Sequence, residues 1–199
     1  MSTEKSPLER HLYSVNIDGT KKSCILSKPG YWRVYPSADN KFFAAEHSAT
    51  DCYPTAGVYN NKGKLVRSLM LEEPKTEAPK YQRHYATFTT ERGDELQYYL
   101  IYPENFDPAK QYPVHVDIYG GPGSPLVNDR WLMPSSSNQW YSDNEIIQIT
   151  VDPRAEGHNG REGLDMIYRQ LSVVELEDFC DWADWLMDQP YVRDEKIGI

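Results

Sequence analysis

The sequence predicts a mixed chain, an all-β first part followed by an α/β second part. Three observations predict it. Short extended runs recur up to about residue 70, spaced about 8–12 residues apart and separated by turn signals. A Pro- and charge-rich stretch then interrupts the pattern. Beyond it, apolar runs of strand length alternate with a segment of helical periodicity. The boundaries read as 1–71 for the all-β part, 72–80 for a linker and 81–199 for the α/β part.

In the first part, His11 to Asn16 and Lys22 to Leu26 flank Asp18-Gly19, a hairpin turn signal. Trp32 to Tyr35 is a short strand, and Pro36 to Asn40 turns the chain. Lys41 to His47 follows as a strand. Thr55 to Tyr59 and Lys64 to Leu69 flank a second turn at Asn60-Asn61-Lys62-Gly63. This pattern fits a sandwich, a barrel or a propeller, and the composition does not choose among them.

In the second part, Tyr85 to Thr90 and Glu95 to Tyr102 form a hairpin across Arg92-Gly93-Asp94. Pro113 to Ile118 and Glu145 to Val151 are two apolar runs. Val173 to Asp188 reads as a helix, with Val173, Leu176, Phe179, Cys180, Ala183, Leu186 and Met187 at three- and four-residue steps. Ser172 and Glu175 read as its capping box. The carboxylates of Glu175, Glu177 and Asp178 suit its N-terminal end, and Asp181, Asp184 and Asp188 mark a solvated face. Lys196 to Ile199 starts a further strand. An antiparallel hairpin leading into a parallel sheet with crossover helices fits an α/β-hydrolase sheet.

Composition excludes several classes. A net charge of −9 and a pI near 5.0 argue against a nucleic-acid partner, which requires a basic surface. Mean hydropathy is −0.70, lowered in part by 15 tyrosines. No apolar run reaches the roughly 18 residues needed to span a bilayer, and Met1 to Lys5 has no apolar signal core. Cys24, Cys52 and Cys180 fit no zinc spacing and read as small residues, with a Cys24–Cys52 bridge open if the protein is exported. No phosphate-binding loop occurs.

The segment richest in chemical signals is Asp117 to Ser124, a strand end running into Tyr119-Gly120-Gly121-Pro122-Gly123. Its glycines permit close backbone approach, and a tyrosine hydroxyl there can donate to an oxyanion. The plainer reading is a Gly-Pro turn with a packed tyrosine. Asp152-Pro153-Arg154-Ala155-Glu156-Gly157 follows the next strand; its Asp and Arg could fix that loop by charge-assisted hydrogen bonds, and in isolation the plainer reading is a surface ion pair. His11, His47, His84, His115 and His158 read as ordinary residues, because no G-x-S-x-G occurs in the chain. Ser135 to Ser137 reads as a polar loop, and Trp140-Tyr141 as core.

Four segments, in order, resemble the dipeptidyl peptidase IV branch of the prolyl oligopeptidase clan of serine peptidases. Ser6 to Tyr13 is similar to the opening of a late propeller blade. Tyr112 through Ser124 is similar to the family's oxyanion strand and loop. Asp152 to Gly157 is similar to its D-x-R-G-[ST]-G loop. Tyr168 to Leu171, Val174 to Asp178 and Tyr191 to Ile199 are similar to the approach to G-W-S-Y-G-G. The resemblance covers essentially all 199 residues.

The resemblance implies the C-terminal end of a β-propeller followed by the first half of an α/β-hydrolase domain. It implies a serine exopeptidase that releases N-terminal X-Pro or X-Ala dipeptides from peptide substrates, as a homodimer and with no metal or organic cofactor. Tyr119 stands at the family's oxyanion tyrosine. The serine, aspartate and histidine of the triad and the paired amine-binding glutamates have no counterpart in the 199 residues. The chain is therefore expected to be an inactive piece of a longer protein, ending before the nucleophile. Pro153, Ala155 and Glu156 depart from the family's loop. Another clan peptidase and a non-catalytic scaffold are the rival readings, and location stays open, a periplasmic or secreted bacterial protein being one reading.

Overall fold

The computed structural model describes residues 1–69 and 81–199, so the linker read at 72–80 lies outside the described residues. The chain divides into two compact units, Met1–Thr76 with Asn128–Met133, and Glu77–Val127 with Pro134–Ile199.

In the first unit, β1 (Leu12–Ser14) and β2 (Ser23–Leu26) pair antiparallel. The turn between them is closed by Asp18 Oδ1, which accepts from the Thr20 N–H at 2.9 Å and its hydroxyl at 2.7 Å. β3 (Tyr31–Pro36), β4 (Phe42–Ala49), β5 (Cys52–Asn60) and β6 (Leu65–Ser68) form a four-stranded antiparallel meander in chain order. Along β4, Phe43, Ala45, His47 and Ala49 are buried while Phe42, Ala44 and Glu46 are exposed, the period of two that a one-sided sheet imposes. Leu26, Trp32, Phe43 and Ala45 form the core, and Tyr59 stacks on Phe43 at 5.7 Å. Gly63 closes the β5–β6 turn at φ +78°, and a Cβ there would overlap the Ile25 carbonyl oxygen.

Asn128–Met133 belongs to this unit although its neighbours in sequence do not. Asp129 Oδ1 accepts from the Thr50 N–H at 2.7 Å and the Thr50 hydroxyl at 2.8 Å, and the Asp129 N–H donates to the Leu8 carbonyl at 2.8 Å. Trp131 packs edge-on against Tyr53.

The second unit is built on a five-stranded sheet. β7 (Arg83–Thr89) and β8 (Glu95–Ile101) form the antiparallel hairpin. β9 (Tyr112–Asp117), β10 (Ile147–Val151) and β11 (Val192–Gly198) complete it, in the order β11-β9-β10-β8-β7. β10 pairs antiparallel with β8 and parallel with β9, and β9 pairs parallel with β11. β10 is buried along its whole length, as a strand covered on both faces must be.

Three helices lie among the described residues of this unit: α1 (Ser136–Asp143), α2 (Gly160–Met166) and α3 (Val174–Met187). α1 corrects the polar-loop reading. Ser135 is its N-cap, accepting from the Asn138 N–H at 3.2 Å, so the serine run starts a helix. Trp140, expected in the core, is 56% exposed.

α3 corrects the expected helix face. Its inward row is Val174, Asp178, Trp182 and Leu186, a strict four-residue step with Glu175 beside it. Leu176, expected inside, is 60% exposed, and Val173, Cys180 and Met187 are exposed too. The cause is Asp178, whose buried ion pair turns this polar position inward and carries the apolar stripe partly out. The capping box also fails to form: Val173 is the N-cap, without a side-chain bond, and Ser172 sits at φ +65°. Trp182 and Leu186 pack with Leu96, Tyr98, Val114, Val116 and Ile149 into the core of the unit. The three cysteines are free, so no Cys24–Cys52 bridge forms.

Candidate active site

β9 delivers the candidate loop. Its last residue is Asp117, and Gly120 and Gly123 then take φ values of +73° and +71°, which non-glycine side chains disfavour. These two positions turn the chain sharply and leave the Tyr119 ring outside the core, 63% exposed. The ring lies over Gly121, where a Cβ would overlap it. Tyr119 to Pro122 form one wall of a hollow of about 460 Å³, and Leu171, Glu175 and Phe179 form another. Tyr119 is thus largely exposed, with one face of its ring against Gly121.

The loop after β10 braces the first one. Asp152 is fully buried and accepts from the Leu126 N–H at 3.1 Å, the Val127 N–H at 2.8 Å and His158 Nε2 at 2.8 Å. A Cβ on Gly157 would lie 3.5 Å from the Gly123 Cα, so the two loops touch.

Asp152 and Arg154 do not form the surface pair expected of them. Both are buried and each has other partners. Arg154 Nε reaches both Asp178 oxygens, at 2.9 and 3.0 Å; its NH2 also contacts Asp178, and its NH1 lies 2.9 Å from Asp94. The Arg154 backbone N–H donates to Asp178 at 2.9 Å. Hydrogen bonding to Asp178 pushes the guanidinium further towards its charged form. Asp152 to Glu156 are all buried, so this loop offers no solvent-exposed position for a surface pair.

Two carboxyl groups that the sequence did not single out as site residues face the same region. Glu156 is fully buried, and burial, with the Asp152 charge as the next cause, pushes it up to about 9. Neither of its carboxyl oxygens has a hydrogen-bond partner among the described residues. Glu175 is buried with both oxygens likewise unbonded, and its Cβ is 4.0 Å from where a Gly120 Cβ would stand. The signal for Glu156 was its place in a loop where the resemblance has a small residue.

The other histidines are held elsewhere. His11 bonds Glu9 at 2.6 Å, His47 bonds the Pro29 carbonyl at 2.8 Å, His115 stacks on Tyr141 and His84 packs against Tyr102. Among the described residues no three His, Cys, Asp or Glu side chains converge as metal ligands would. No helix of the described residues is long and apolar enough to cross a membrane.

A sequence profile of the prolyl oligopeptidase family matches residues 133–199, a segment that includes α1 through β11. A protein of Emericella nidulans named "Probable dipeptidyl-aminopeptidase B" is 31% identical over the whole chain, which covers 23% of that protein. The crystal structure of Porphyromonas gingivalis dipeptidyl peptidase 4 superposes with a TM-score of 0.83 over 99% of the chain, at 26% identity and 28% of its own length. In sequence and in fold the chain is similar to proteins named as dipeptidyl peptidases, and its last third matches the prolyl oligopeptidase family. A further relative, "Probable dipeptidyl peptidase 4" of Aspergillus flavus, is 30% identical over the whole chain and 27% of its own length. The chain thus spans about a quarter of the length of these family members. The family profile covers the Asp152 loop and α3, whereas Tyr119 lies before its matched segment.

Proposed function

We propose that the full-length protein is a serine exopeptidase that releases N-terminal X-Pro or X-Ala dipeptides. On this reading residues 1–71 are the end of a β-propeller and residues 81–199 the first half of an α/β-hydrolase domain, joined at 72–80. The β3-to-β6 meander supports the propeller. The hairpin followed by parallel β10, β9 and β11 supports the hydrolase sheet.

The observation that carries the reading is Tyr119, exposed at the C-terminal end of a parallel strand on a turn braced from the neighbouring loop. In the reaction, a serine oxygen attacks the carbonyl carbon of the second residue as a histidine takes its proton, and the histidine returns that proton to the leaving amine when the C–N bond breaks. The Tyr119 O–H donates to the oxygen on which negative charge develops. Serine, histidine and its aspartate come from outside these 199 residues, which contain no G-x-S-x-G. The resemblance also implies a homodimer, which sedimentation of the full-length protein checks.

The test is hydrolysis by the full-length protein. Gly-Pro-p-nitroanilide should be cleaved, its N-blocked analogue should not, and a fluorophosphonate probe should label one serine. Cleavage of the blocked substrate alone would make the protein another clan peptidase. No cleavage and no labelling would make it a scaffold.

A further inference from the structure

We propose that His158 is a positioning residue for the Tyr119 turn and acts on it through Asp152. The effect on catalysis rests on the oxyanion role given to Tyr119; the brace itself does not.

The Tyr119 ring is 63% exposed, so core packing does not fix where its hydroxyl stands. The turn that carries the ring must do so, and it is held at two ends. In front, Asp117 pairs with Thr150 in the parallel β9–β10 ladder. Behind, the Leu126 N–H donates to Asp152 Oδ1 at 3.1 Å and the Val127 N–H to Asp152 Oδ2 at 2.8 Å. Asp152 is fully buried, and its own N–H donates to the Gln97 carbonyl at 2.9 Å. The rear anchor is therefore a side chain rooted in the sheet.

The aim of a carboxylate depends on the donors around it. His158 Nε2 lies 2.8 Å from Asp152 Oδ2, the oxygen that also takes the Val127 N–H. A carboxylate only accepts, so Nε2 carries a ring proton and donates it. The His158 side chain is 3% exposed, which leaves bulk water little access to this bond. Gly157, the residue before it, stands at φ +117°, and a Cβ there would lie 3.5 Å from the Gly123 Cα and 3.6 Å from Pro125 Cδ. Fastening His158 to Asp152 thus sets the carboxylate that holds residues 126 and 127 and keeps the Gly157 backbone against the turn. Without the imidazole N–H, the carboxylate keeps two backbone donors and is free to swivel. A misplacement of about 1 Å at a reacting centre costs about a hundredfold in rate.

The test uses the full-length protein and three variants. His158→Gln places an amide N–H where Nε2 stands, His158→Asn is too short to do so, and His158→Phe keeps a ring without a donor. Hydrogen exchange is read on peptides covering residues 118–128. Protection should fall about tenfold or more in the Asn and Phe variants and stay within about threefold of wild type in His158→Gln. On Gly-Pro-p-nitroanilide, kcat should fall about tenfold in the Asn and Phe variants with KM within about twofold, and most of it should return in His158→Gln. Added to Tyr119→Phe, His158→Asn should cost little more, because the hydroxyl it misplaces is already gone. Wild-type protection in His158→Asn overturns the proposal even if the Phe variant does not fold, and so does an equal loss in all three variants. Where Tyr119→Phe itself lowers kcat, an equal cost of His158→Asn with and without the hydroxyl overturns it too. If Tyr119→Phe leaves kcat unchanged, the oxyanion reading fails, and exchange alone decides whether the brace stands.

Discussion

Replacing Asp178 with alanine should be one of the most damaging single changes in the second unit. Asp178 is fully buried and accepts from the Arg154 N–H, the Arg154 guanidinium and Arg92 NH2 at 3.3 Å. Removing it leaves a guanidinium with little solvent access and a backbone N–H without its acceptor. Breaking a buried pair from one side costs about 3–5 kcal/mol. Asp94 stays 2.9 Å from Arg154 NH1, which places the loss near the lower end of that range. Asp178→Asn keeps an acceptor for the N–H and should lose about 1.5–3 kcal/mol, the worth of hydrogen bonds to a charged group. The double change Arg154→Met with Asp178→Leu should be less harmful than Asp178→Ala, because no uncompensated charge remains. Urea unfolding followed by tryptophan fluorescence reads this directly, since Trp182 lies one turn along α3 and is itself buried. An Asp178→Ala midpoint corresponding to less than about 0.5 kcal/mol would refute the inward ion pair as the cause of the helix orientation.

Glu156 should make stability fall with rising pH. The unfolded carboxyl ionises near 4.5 and the folded one near 9, so between these values the folded state alone holds the proton. Stability is fully present below about 4.5 and lost as pH rises towards 9, at up to about 1.4 kcal/mol per unit. Glu156→Gln should therefore match wild type in Tm near pH 5 and exceed it near pH 8; parallel pH dependences would contradict this. Gly121→Ala should displace the Tyr119 ring, because the added methyl overlaps it, and lower kcat about tenfold while shifting Tm little. Unchanged kinetics in that variant would show that the ring's position does not matter.

The strands were legible because burial on one face writes itself into the sequence with period two. β4 alternates residue by residue, and Asp18-Gly19 and Asn60 to Gly63 mark real turns. The turn after β9 was legible because its clustered glycines permit the positive φ values that Gly120 and Gly123 adopt. The face of α3 was not, since three- and four-residue steps describe two adjacent faces equally well. The choice between them was made by Asp178 and Arg154, far apart in sequence. Ser135 as a cap was hidden because α1 is short and carries little apolar signal. Asn128–Met133 could not be assigned to the first unit from local pattern, because its anchors, Thr50 and Leu8, are distant contacts. Burial of Glu156 likewise depends on two loops meeting, which no spacing within either one encodes.

Steady-state kinetics of Tyr119→Phe in the full-length protein test the central claim most directly. The substitution removes one hydroxyl and keeps a ring that is largely exposed, so folding should be untouched. If Tyr119 donates to the oxyanion, kcat on a Gly-Pro chromogenic substrate should fall about a hundred- to a thousandfold, or about 2.7–4 kcal/mol, with KM nearly unchanged. A folded Tyr119→Phe enzyme with wild-type kcat would contradict the account.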